Sequence, residues 1–201
     1  MSRLLSDRAA KTSDVVVLSS SLEDSKKPPA GVYRVTLISI CVSIFAFFAA
    51  LVIAYWWRSQ TPPFWDPIPL PRALWVSTAL MFASSATFET ARRQFRKGER
   101  RRAMQWLGVT AALGVAFLIS QLTAWRTLVQ FGAFLAANPH STFFYLFTGL
   151  HGLHLIGGLV MLLVLFLRRS PRREMVDAVT YYWHFLGLLW IALFSTLGLI
   201  S

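Results

Sequence analysis

Two imidazoles stand three residues apart in the run Phe143-Phe144-Tyr145-Leu146-Phe147-Thr148-Gly149-Leu150-His151-Gly152-Leu153-His154. No Asp, Glu, Lys or Arg occurs from Thr127 to Leu167. A third imidazole, His184, follows in Tyr181-Tyr182-Trp183-His184-Phe185. Imidazole is the commonest metal ligand, so one chemistry on offer is metal or haem ligation. The other is a neutral histidine hydrogen-bonded across helices or to polar lipid groups. On a helix His151 and His154 are separated by about 300° and share one side. At about 1.5 Å per residue, His154 lies about 21 Å from Arg168, and His184 about 16 Å from Arg173, so the two can reach similar depths on adjacent antiparallel helices. Gly149, Gly152, Gly157 and Gly158 could make room for a porphyrin, or equally permit close helix contact. Spacing leaves both readings open. His140, beside Pro139 in an outer loop, is expected to be exposed.

Glu89 is the sole carboxylate inside an apolar stretch and could serve a proton relay. It also stands three and four residues before Arg92 and Arg93, the spacing of a helical ion pair, and that reading is preferred. Gln121 could bridge helices, and Gly108, Ala112 and Ala116, at four-residue spacing, suggest a small-residue packing seam. There is no phosphate-binding glycine loop, carboxylate dyad, or nucleophile placed with a base by motif.

The elements that must position these groups are membrane helices. Of 201 residues, 55% are hydrophobic and 14% charged, against about 25% charged in a soluble domain. The net charge of +11 does not point to nucleic acid, because the basic residues fall in short blocks between apolar runs. Five stretches are long enough to cross a bilayer: Val35–Trp57, Ala73–Ala91, Met104–Trp125, Ser141–Leu167 and Ala178–Ile200. The fold class expected is therefore all-α, a bundle of five transmembrane helices over residues 31–201. Residues 1–30, rich in Ser and mixed charge, read as a disordered cytoplasmic tail. Of the Lys and Arg residues, 17 lie in the tail and in the second and fourth loops. Only Arg58, Arg72 and Arg126 lie in the first and third. This alternation places the N-terminus inside and the C-terminus outside. Trp56, Trp57, Trp65, Trp75 and Trp125 fall near the outer ends, where amphipathic rings favour the interface. Pro62, Pro63, Pro67 and Pro69 make the first loop an extended connector. Cys41, the single cysteine, can form no internal disulfide and reads as a small core residue.

The chain resembles the cytochrome c oxidase subunit III family in its short, five-helix bacterial form. The pieces that carry the resemblance follow the family's order: Leu80 to Thr87; Trp106-Leu107 through Thr110, Gly114, Phe117-Leu118 and Gln121; Phe143 to Gly158; and Tyr182-Trp183-His184-Phe185 with Trp190. The sequence departs from the family at three intramembrane carboxylates. No acid occurs near Ile40 and Cys41, Gln121-Leu122-Thr123-Ala124 lacks the usual Glu, and Gly187 replaces an acid.

The resemblance implies an accessory, non-redox subunit of a bacterial haem-copper terminal oxidase in the plasma membrane. Haem and copper would reside in the partner catalytic subunits, subunit I and subunit II, and phospholipid would bind between helices. On that implication no residue is catalytic, metal-binding or cofactor-binding. His151, His154, Trp183 and His184 become a buried inter-helix or lipid-contact cluster, with Gln121 and Glu89 as further structural candidates. The three missing carboxylates speak against a direct role in proton transfer. Two alternatives within reach are the accessory subunit of a nitric oxide reductase and a b-haem anchor that carries electrons itself. A small transporter is a weaker third, since inverted-repeat signals and charged residues near the midplane are lacking.

Overall fold

The computed structural model describes residues 31–60, 71–132, 138–168 and 171–200. They form five helices: α1 (Val32–Ser59), α2 (Ala73–Arg96), α3 (Arg100–Gln130), α4 (Pro139–Leu167) and α5 (Arg173–Ile200). Four of them, α1, α3, α4 and α5, are long and apolar enough to cross a membrane. The N-terminal tail, the proline-rich first loop and Trp65 lie outside the described residues.

Helix ends follow local chemistry. Asn138 caps α4: its side chain accepts a hydrogen bond from the Ser141 N–H at 2.8 Å while Ser141 Oγ accepts from the Asn138 N–H. Pro139 at the first helical position has no N–H to satisfy. Between α2 and α3 the chain reverses at Gly98, whose φ of +79° is a left-handed conformation that glycine adopts without strain.

Helices α2, α3, α4 and α5 stand at the corners of a square. Close approaches run along its edges, α2 to α3, α3 to α4, α4 to α5 and α5 to α2, and α1 lies outside against α4 and α5. The α2–α3 edge is stitched by hydroxyls: Ser77 Oγ donates to Ser120 Oγ at 2.9 Å, Ser120 Oγ bonds the Ala73 carbonyl at 3.0 Å, and the Thr87 and Thr110 hydroxyls meet at 2.9 Å. The backbones of α3 and α5 do not approach closely across the diagonal. Trp183, Trp190 and Phe117, all fully buried, fill that space.

The packing face of α3 is not the one expected. Ala103, Leu107, Thr110, Gly114, Phe117, Gln121, Ala124 and Leu128 are buried, whereas Gly108 and Ala112 face outward. The close approach needed at the centre falls at Gly114, where it admits an indole; Gly108 meets nothing within 4 Å. Cys41 is half-buried rather than a core residue.

Candidate functional site

Trp183 occupies the middle of the square. A side chain at Gly114 would place its Cβ 2.9 Å from the Trp183 ring, and one at Gly158 would place it 3.2 Å away. The two glycines thus make a slot for an indole. The Trp183 Nε1–H donates to Ser84 Oγ of α2 at 3.1 Å, and the Phe88 ring lies 5.9 Å away, edge on. Two turns further along α5, Trp190 Nε1–H donates to Thr78 Oγ1 at 3.0 Å. Its ring faces Phe117 at 5.0 Å and His151 at 5.2 Å. Nothing in the sequence reading paired these indoles with α2.

The three histidines do not form one cluster. His151 is fully buried among α3, α4 and α5, with Phe117 5.6 Å away and Trp190 beside it. His154 turns toward α1, where the Phe48 ring lies at 5.7 Å, and its Nδ1 sits 2.7 Å from the Leu150 carbonyl. That distance makes Nδ1 the protonated nitrogen, donating back to its own helix. The Tyr182 hydroxyl donates to the His154 carbonyl at 3.2 Å, so the two helices are in register at that depth. His184 turns the other way, toward α2, with Nε2 3.9 Å from Glu89 Oε2, and is only half-buried. His140, expected to be exposed, is fully buried in the first turn of α4, 5.8 Å from the Tyr55 ring. The Asn138 cap draws the first turn of α4 into regular helix, and helical geometry turns His140 inward against α1.

Glu89 anchors a charged junction at one end of the bundle. It accepts from Arg92 Nε at 2.8 Å and from Arg93 Nε at 3.1 Å. Arg92 also reaches Asp177 of α5 at 3.4 Å, Arg96 reaches the same carboxylate at 3.0 Å, and the Arg92 guanidinium lies over the Tyr181 ring at 5.3 Å. Arg100 donates to the Arg168 carbonyl at 2.9 Å. The basic ends of four helices meet here. Gln121 is buried on α3, one turn before Trp125, whose indole N–H donates to Thr148 Oγ1 at 2.9 Å.

Among the described residues, no three His, Cys, Asp or Glu side chains gather where they could hold a metal ion. The aromatic and hydroxyl groups of the core serve helix against helix. Fold and site together define an integral-membrane helical protein whose core indoles and hydroxyls bond helix to helix. The sequence model of cytochrome c oxidase subunit III matches residues 12–200. A probable cytochrome c oxidase subunit 3 of Mycobacterium tuberculosis is 32% identical over 161 residues, covering 75% of this chain and 79% of the relative. Cytochrome c oxidase subunit 3 of Synechocystis is 31% identical, covering 83% and 74%. Cytochrome bo(3) ubiquinol oxidase subunit 3 of Pseudomonas aeruginosa is 29% identical, covering 82% and 81%. The chain belongs to the cytochrome c oxidase subunit III family and is an accessory subunit of a haem-copper oxidase.

Proposed function

We propose that this subunit carries no redox centre and stabilises the catalytic subunits, I and II, of a bacterial terminal oxidase in the plasma membrane. The observation that carries this reading is the slot filled by Trp183: Gly158, one of the glycines that could have cleared space for a macrocycle, clears it together with Gly114 for an indole. His151, His154 and His184 face three different helix interfaces, so no two of them can share an axial pair. Oxidase names run through the relatives, and they include both a cytochrome c and a ubiquinol oxidase.

All five helices span the bilayer in this reading, α2 included. Its 24 residues reach about 36 Å, and Ser77, Thr78, Ser84 and Thr87 are turned onto α3 and α5 rather than toward lipid. The arginine-rich junction of α2, α3, α4 and α5 lies on the cytoplasmic side, which puts the N-terminus inside. Phospholipid fits beside α1. Among the described residues that helix touches only α4 and α5 and leaves a groove of about 660 Å³ lined by Leu37, Ile38 and Ala178, with Arg34, Glu174 and Asp177 as its charged residues.

A visible absorption spectrum of the purified single subunit tests the central claim. No stoichiometric Soret band is expected, and its appearance would overturn the reading in favour of a haem-carrying anchor.

A further inference from the structure

Four polar atoms buried in this bundle have no partner among the described residues. His151 is fully buried and Gln121 is 4% exposed. Among the described residues, His151 Nδ1 and Nε2 and Gln121 Nε2 and Oε1 make no hydrogen bond. Buried groups of this kind nearly always have one, and in an apolar bundle their desolvation is not offset otherwise.

Helix register sets the two side chains at neighbouring levels. Trp125 of α3 meets Thr148 of α4, Phe117 meets His151, and Leu118 lies next to Gly152. Gln121 shares the buried stripe of Phe117 and is midway in sequence between Phe117 and Trp125, so its level is that of Thr148 to His151. Nearby polar groups are already engaged. Thr148 Oγ1 donates to the Phe144 carbonyl while accepting from Trp125, and the Trp190 indole N–H is given to Thr78.

The amide and the imidazole do not bond each other directly. A small neutral molecule that both donates and accepts can bridge one imidazole nitrogen to the amide. We propose that Gln121 and His151 hold a buried water molecule between α3 and α4, sealed from the lipid by Phe117 and Trp190. An ion does not fit this site, because no opposite charge is near and a single imidazole is too few ligands for a metal. A water needs room for only about one probe sphere and makes about two to four hydrogen bonds, of which one imidazole nitrogen and the side-chain amide supply two. The site lies wholly inside the chain and does not depend on how the subunit docks.

A high-resolution map of the intact oxidase complex is the direct test. Ordered density about 2.7–3.2 Å from a polar atom of both Gln121 and His151 is expected. A map that resolves interior waters elsewhere in the subunit but none between these two residues would overturn the proposal. Substitution offers an independent readout. Gln121→Leu and His151→Phe each strand the other's polar group, so each single variant should retain the subunit about fivefold less after a fixed heat challenge. The double variant removes every polar atom and should return to within about twofold of the unaltered complex. Simple addition of the two losses would count against the shared site. If neither single variant assembles, the map of the unaltered complex decides alone.

Discussion

Trp183 and Ser84, ninety-nine residues apart, join α5 to α2 through an indole N–H donated to a fully buried hydroxyl at 3.1 Å. Because the Trp183 ring also fills the space against Gly114 and Gly158, one side chain connects all four corners of the square. Trp183→Phe keeps most of the packing and loses the hydrogen bond, so destabilisation of about 1 kcal/mol is expected. Trp183→Ala leaves a cavity that should raise this to about 3–5 kcal/mol. Thermal release of the subunit from the purified complex measures both.

Glycine substitutions should separate the packing face from the outer face. Gly114→Ala drives a Cβ to 2.9 Å from a ring that has nowhere to move, and overpacking of about 1–3 kcal/mol follows. Gly108→Ala meets nothing within 4 Å and gains helix propensity, so it should be neutral or slightly stabilising. Equal losses at the two positions would contradict the assigned faces. Assembly yield and melting temperature are the readouts.

Arg92 links α2 to α5 through Asp177, with side-chain exposures of 15% and 28%. Replacing Arg92 with Met and Asp177 with Asn, singly and together, should give a coupling of about 0.5–1 kcal/mol that weakens as salt is added. The double-mutant cycle isolates that coupling from other effects of each change.

Glu89→Gln removes a carboxylate whose contacts are Arg92, Arg93 and His184. Oxygen consumption and proton translocation of the reconstituted complex should barely change. A large fall in proton-coupled turnover would instead assign Glu89 to a relay.

His154→Leu and His184→Leu should each loosen the subunit or lower its bound phospholipid while leaving the haem and copper content of the complex intact. The aromatic contact of His154 with Phe48 makes α1 the helix most affected in the first case. Metal analysis, lipid extraction and subunit retention on the same preparation check the three parts together.

The helices themselves were legible from residue order. Apolar runs uninterrupted by charge can lie only in hydrocarbon or in a core, and the arginine blocks between them bounded their ends. The observed helices run a few residues past the expected spans, as at Arg100–Gln130 against Met104–Trp125, because charged residues continue a helix beyond the hydrocarbon. The Glu89 pairs with Arg92 and Arg93 were equally readable, since i, i+3 and i, i+4 neighbours meet on any helix.

The pairing of those helices was not legible. Spacing along a strand of sequence says which residues share a face, but it does not say which other helix that face meets. Gly108, Ala112 and Ala116 had the spacing of a seam, yet Gly108 and Ala112 face outward and Ala116 is only half-buried; Gly114, one of several small residues on α3, takes the indole. His154 and His184 could reach similar depths, yet they turn toward α1 and α2 respectively. His140, placed by its neighbours in a loop, is buried because α1 lies over the first turn of α4. Composition and local periodicity determined that this chain forms long apolar helices with their basic ends on one side. Only the tertiary structure decided what the buried polar groups touch, because partners from residues seventy or a hundred positions apart are chosen by how bulky and small side chains fit across the bundle.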